Sequence, residues 1–146
     1  MRQLFAVWDW CFDERREQLY RDCSTFLLRL WFGGAMLVSH GWGKIARFQE
    51  DPSAFRDPIG LGSELSLLLV IFAEVICAAL VVLGLATRLA LLPLIFTMII
   101  AGFVVNWFHL SATSYLVAYL VLLMLGPGRW SLDFFIARKR GSLPFD

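Results

Sequence analysis

The sequence predicts an all-α integral membrane protein: a bundle of four transmembrane helices, preceded by an amphipathic interfacial helix and followed by a short interfacial helix. Hydrophobic residues make up 59% of the 146 residues, against about 45–50% in soluble domains. No Asp, Glu, Lys or Arg occurs between Leu89 and Gly128. The single core of a 146-residue chain cannot bury so much apolar surface, so part of that surface is expected to face lipid.

Residues 1–24 form a mixed-charge segment that is too polar to cross a bilayer. Between Leu4 and Tyr20, apolar side chains recur at helical spacing, and the charged ones fall mostly on the opposite side. Such a helix typically lies along the membrane interface; docking against a partner protein is the alternative. The segment lacks the cleavage site of a secretory signal, so the membrane segments are expected to be permanent.

Four apolar stretches within residues 25–130 are predicted to span the membrane. They lie at about 25–44, 64–86, 88–108 and 110–125; the first three are close to the roughly 20 residues that a bilayer requires. Arg47–Glu64, which contains Pro52 and Pro58, reads as a loop that could hold a short interfacial helix. A turn follows at residues 84–88. After a stop at residues 126–128, Ser131 is expected to cap a short helix in a cytoplasmic tail, residues 131–146.

Basic residues are distributed unevenly between the two ends of the predicted bundle. With four spans, nine Lys and Arg residues lie on the side of both termini, and only Lys44, Arg47 and Arg56 lie on the other. Because cytoplasmic segments carry an excess of basic residues, both termini are predicted to be cytoplasmic, in a cell (inner) membrane.

Charged residues inside the spans identify the candidate site. Each costs roughly 2.5–3.5 kcal/mol even on lenient insertion scales. Glu74 and His40 are predicted to lie at nearly the same depth and to be neighbours, with Arg29 nearer the cytoplasmic surface. Glu74 is either a proton-accepting or ligand-orienting carboxylate, or a structural acid that fixes helix packing. The other polar residues on the inward faces are Lys44, Asn106, Tyr115 and Tyr119.

Several classes of function are not supported. A net charge of +1 gives no case for nucleic acid binding. Three cysteines without a CxxC pair argue against a disulfide framework, and two histidines without a cysteine cluster make a protein-held metal site improbable. No nucleotide-binding or hydrolase fingerprint is present.

Taken together, these segments resemble the DoxX family of small four-helix membrane proteins. The resemblance rests on Leu27–Ile45, Asp57–Val75, Leu83–Met98 and Leu125–Asp133. Its motif residues are Arg29, His40, Lys44, Glu74, Arg88, Gly126, Pro127, Gly128, Arg129 and Asp133. The sequence departs from the family at Asn106, where many relatives have His, and before the fourth span, where many have an acidic residue.

The resemblance implies a link to membrane redox chemistry. The leading hypothesis is an accessory or anchor subunit of an oxidoreductase, not catalytic alone, with a quinone pocket around Glu74 and a redox protein as partner. Two alternatives stay open: a small proton-coupled transporter or exchanger, and a purely structural assembly subunit.

Overall fold

A computed structural model describes residues 14–105 and 107–141, and every regular element in this part of the chain is helical. The long helix α1 occupies residues 14–50. The four helices that follow are α2 (Ser63–Leu83), α3 (Thr87–Val105), α4 (Leu110–Leu125) and α5 (Leu132–Lys139). A 3₁₀ turn at Pro52–Ala54 lies between α1 and α2.

Helix α1 is longer at both ends than the predicted first span at 25–44. It is already helical at Glu14, and the predicted boundary at residue 24 does not interrupt it. At its other end the predicted loop from Arg47 is wrong, because the helix continues to Glu50. Charged side chains do not stop a helix; the first breaker after Lys44 is Pro52. Residues 1–13, which hold most of the predicted amphipathic helix, lie outside the described residues.

The loop between α1 and α2 is organised by the carboxylate of Asp57. It accepts hydrogen bonds from the backbone N–H groups of Gly60, Leu61 and Gly62, and from the hydroxyl of Ser66 at 2.8 Å. These bonds fix the loop against the first turn of α2. We call this end of the molecule the loop end, and the end carrying α5 the tail end.

Helices α2 and α3 are long and apolar enough to cross a membrane by length and composition. Helix α2 ends three residues before the predicted 64–86 because residues 84–86 form the turn to α3, and α3 ends at Val105, three residues before the predicted 88–108, with a turn at residues 107–108. Helix α4 has the predicted bounds and is a shorter apolar helix of 16 residues. Ser131 caps α5 as expected, since its hydroxyl accepts the Phe134 N–H at 3.2 Å.

Helix α1 packs closely on α2 at two glycines. A Cβ on Gly33 would lie 2.8 Å from the Val82 side chain, and one on Gly41 would lie 2.9 Å from the Glu74 carbonyl oxygen. Helix α3 packs against both α2 and α4. Their shared core is apolar and includes Met36, Val81, Leu91, Leu94, Tyr119 and Leu122. The close approach at Gly41 brings α1 against α2 beside the Glu74 carboxylate.

Candidate functional site

The carboxylate of Glu74 is buried and paired. Its side chain is 4% exposed, and its Oε2 lies 2.5 Å from Nζ of Lys44, whose side chain is 25% exposed. An ionised carboxylate without a partner would be very costly at this burial. The ammonium group from α1 therefore supplies the compensation that a charge inside α2 requires.

Helical irregularity occurs at this pair and elsewhere in the bundle, since α1 is also π-helical at Arg29–Gly33, near the tail end. Glu74 lies in a π-helical segment, Phe72–Cys77, and the facing part of α1, Met36–Gly41, is also π-helical. In α3, the segment Ile100–Val105 has the same form. Single π-helical turns are frequent at functional sites because they re-aim side chains relative to an α-helix.

A cavity of about 490 Å³ opens beside the Lys44–Glu74 pair. It lies between α2, α3, the loop and the loop end of α1, and its walls are mostly apolar. Polar lining comes from both members of the pair and from Arg47, Arg56, Ser66 and Thr97. Pockets that bind small molecules commonly have volumes of about 300–1,000 Å³, with a few polar groups on apolar walls. The cavity therefore has the size and the lining of a small-molecule site.

The remaining aromatic candidates form a cluster between α1 and α4, outside the cavity. The His40 ring meets Tyr115 edge to face at 5.5 Å, and Tyr115 meets Phe32 in the same way at 5.4 Å. Tyr119 is fully buried, and its hydroxyl donates to the Phe32 carbonyl at 3.3 Å. His40 and Glu74 lie at a similar level of the bundle, as predicted, since a Cβ on the adjacent Gly41 would lie 2.9 Å from the Glu74 carbonyl oxygen. The carboxylate's ion partner is nevertheless Lys44, and these three rings do not line the cavity.

Arg29 is not part of the Glu74 site. Its guanidinium donates to the carbonyl of Trp130 at 2.5 Å and to that of Val82 at 3.5 Å. Val82 is eight residues beyond Glu74, which corresponds to about 12 Å along a helix. The side chain therefore points toward the tail end, where backbone carbonyls at the end of α2 and just before α5 accept its hydrogen bonds.

The motif residues of the tail end form a hydrogen-bonded joint. Asp133 accepts the backbone N–H groups of Ala86 and Thr87 at 2.7 and 2.9 Å, and so caps the start of α3. Asp22 of α1 accepts the Arg129 N–H at 3.0 Å. Gly126 and Gly128 have positive φ and pack against the side chains of Arg88 and Thr25, with Pro127 between them. These contacts indicate that the motif residues of the tail end stabilise the fold.

Two site residues escaped the sequence analysis, and one predicted residue is not described. Arg47 and Arg56 line the cavity, although they were named above only as basic residues that indicate orientation in the membrane. The sequence did contain a signal for them, because Lys44, Arg47 and Arg56 are the three Lys and Arg residues of the loop end and could have been grouped as one basic site. Asn106 lies outside the described residues. Within residues 14–105 and 107–141, no group of three or more His, Cys, Asp or Glu could hold a metal.

The loop over the cavity should respond to acid through Asp57. The Ser66 hydroxyl, followed by the Gly62 N–H, lowers the pKa of its carboxyl group below the ordinary value. The ionised Asp57 carboxylate therefore stabilises the folded loop fully above its unfolded pKa of about 3.9. This stabilisation is lost as pH falls through the lower pKa of the folded state. Hydrogen exchange, corrected for intrinsic rates, should show protected amides at residues 60–62 from pH 7 to pH 5, and loss of protection only below pH 4.

The matched variant for this prediction is Asp57→Asn, which cannot ionise. It should expose the same amides to a similar extent at every pH. Loss of protection in the wild-type protein between pH 7 and pH 5 would show that another group controls the loop.

The DoxX family model matches residues 24–107, more than half of the chain. The chain belongs to the DoxX family. It is therefore a membrane protein, and its apolar helices contact lipid. No curated protein and no solved structure matches the sequence. All residues lining the cavity lie between positions 44 and 105, inside the matched region, whereas α4 and α5 lie beyond it.

Proposed function

We propose that this DoxX protein is a four-span protein of the cytoplasmic membrane that holds a small amphipathic molecule of the quinone type beside Glu74. In this proposal it serves an oxidoreductase as a non-catalytic subunit. The observation that carries the proposal is the 490 Å³ cavity that reaches the buried Lys44–Glu74 pair. The excess of basic residues at the tail end supports placing both termini in the cytoplasm.

The residues of the cavity suit a ring with polar oxygens. Lys44 can donate a hydrogen bond to a ring oxygen, and Glu74 can accept or return a proton at its carboxylate. Phe72, Pro93 and Phe96 offer apolar contacts to the body of the ligand. A quinone supplies two-electron redox chemistry when bound, and the electrons would come from a partner that carries a redox cofactor. The part played by this chain is binding, orientation and proton exchange.

Binding in lipid nanodiscs tests the proposal directly. Copurifying quinones are extracted and identified, and the purified protein is titrated with menadione by calorimetry. Glu74→Gln and Lys44→Met should each weaken binding about tenfold, the loss expected for one charge-assisted hydrogen bond. Glu64→Gln removes an exposed acid that does not line the cavity, and it should bind like the wild type.

The same variants separate the alternatives. A transporter would show flux in liposomes that Glu74→Gln abolishes. For a purely structural subunit, Glu74→Gln would change stability alone and menadione would not bind. Equal menadione affinity in the wild type and both cavity variants would overturn the proposed site.

A further inference from the structure

The charges that line the cavity do not balance. Lys44, Arg47 and Arg56 contribute three positive charges to the lining and Glu74 contributes one negative charge, an excess of two positive charges that the exposed side chains of Arg47 and Arg56 carry. Lys44 is paired with Glu74. The Arg56 guanidinium donates to the carbonyl of Val105 at 3.2 Å, which is a neutral acceptor. Within the described residues, neither Arg47 nor Arg56 has a carboxylate within ion-pair distance.

The other acids of the loop end do not supply the missing charge. The Asp57 carboxylate keeps its negative charge, but it accepts hydrogen bonds from three backbone N–H groups and the Ser66 hydroxyl and makes no ion pair with either arginine. Glu50, Asp51 and Glu64 are exposed, and none of them lines the cavity. The two arginines are therefore available to an anion that enters from outside the chain.

The basic and the apolar parts of the cavity lining lie at opposite ends of the cavity. On α3 its lining extends from Pro93 to Val105, twelve residues or about 18 Å along a helix. The basic residues are on the loop and the loop end of α1, while Phe72, Pro93 and Phe96 form the deeper apolar wall. Arg47 is one helical turn beyond Lys44, so an anionic group between the arginines would leave the Lys44–Glu74 pair within reach of a second polar atom of the same molecule.

We propose that the ligand of this cavity is an anionic amphiphile. Its apolar body lies along α2 and α3, and its acidic oxygen group, ionised at neutral pH, lies between Arg47 and Arg56. This inference rests on the proposed function, since it requires that the cavity holds a small molecule, and it adds the charge of that molecule. Guanidinium groups bind carboxylates and similar oxyanions through charge-assisted, often bidentate hydrogen bonds. A ring compound with an acidic hydroxyl and a fatty acid from the bilayer share this chemistry.

Two matched pairs of probes test the sign of the charge. In nanodiscs of zwitterionic lipid, 2-hydroxy-1,4-naphthoquinone, an anion at pH 7, is compared with neutral menadione, and decanoate is compared with decanol. Empty nanodiscs correct for partition into lipid. The anion of at least one pair should bind about tenfold more tightly than its neutral partner. The pair that shows the preference identifies the source, a ring compound or a bilayer lipid.

Variants of Arg47 and Arg56 test whether these two residues cause the preference for the anionic probe. Arg47→Gln combined with Arg56→Gln should weaken the anion about tenfold and change the affinity for the neutral partner less than twofold. Arg138→Gln, an exposed cation of α5, is the matched control and should leave both affinities unchanged. Higher salt should weaken the anion in the wild type and have less effect in the double variant.

Each contrary result has a separate meaning. Equal wild-type affinities for both members of each pair, both reduced by Glu74→Gln, would overturn the anionic ligand and leave the proposed function standing. A preference for the anion that survives in the double variant would overturn the assignment to Arg47 and Arg56. Binding of none of the four probes would overturn the proposed function itself.

Discussion

Replacement of Lys44 by Met is expected to destabilise the protein by about 3 kcal/mol, in the range measured when one partner of a buried ion pair is removed. Glu74 would be left in an apolar environment, where it must either stay ionised without compensation or take up a proton. The partial exposure of Lys44 places the loss at the lower end of that range. Unfolding in mixed micelles measures the change in free energy.

The control for this prediction is the double variant Lys44→Met with Glu74→Met. It removes both charges, so no buried ion remains unpaired, and most of the stability lost in the single variant should return. Glu74→Gln alone should cost less than Lys44→Met, because the partly exposed ammonium group can turn toward the interface. If the two single variants and the double variant lose equal stability, the pair contributes nothing through its charge.

The bounds of α4, and those of α2 and α3 to within three residues, could be predicted because their signals are local. The bounds of α4 follow from its uninterrupted apolar sequence and the glycine at position 126. Such stop signals act within a few residues of the chain. The end of α1 was misjudged for the same reason: Arg47, Gln49 and Glu50 are polar, but polarity alone does not oppose helix formation, and the effective breaker is Pro52.

The partners of the charged residues depend on information that helical spacing does not contain. Periodicity placed Arg29, His40 and Lys44 on one face of α1, and helical rise placed His40 and Glu74 at a similar level of the bundle, which the close approach at Gly41 supports. The side chain that reaches the carboxylate is decided by how α1 crosses α2. That crossing is fixed by Gly33 and Gly41, where the backbones approach most closely, and it sends Lys44 toward the acid while Arg29 stays at the tail end.

Substitution of Gly84 by Ala is expected to be the most destabilising small change at the tail end, with a loss of about 3 kcal/mol or more. Two costs add. Gly84 has a φ of 70°, in the left-handed region that L residues adopt reluctantly. An added Cβ would also overlap the Arg29 guanidinium and lie 2.6 Å from Cβ of Ser131, so Arg29 would be displaced from the Trp130 carbonyl.

A matched control separates these effects from the general effect of removing a glycine. Gly43 lies inside α1, and a Cβ there would meet nothing within 4 Å. Gly43→Ala should therefore leave stability unchanged or raise it by up to about 1 kcal/mol, because alanine restricts the unfolded chain and favours the helix. Unfolding in mixed micelles compares the two variants. Equal stabilities would show that the turn between α2 and α3 tolerates a side chain at position 84, and that the joint formed by Arg29 and α5 is weaker than its contacts indicate.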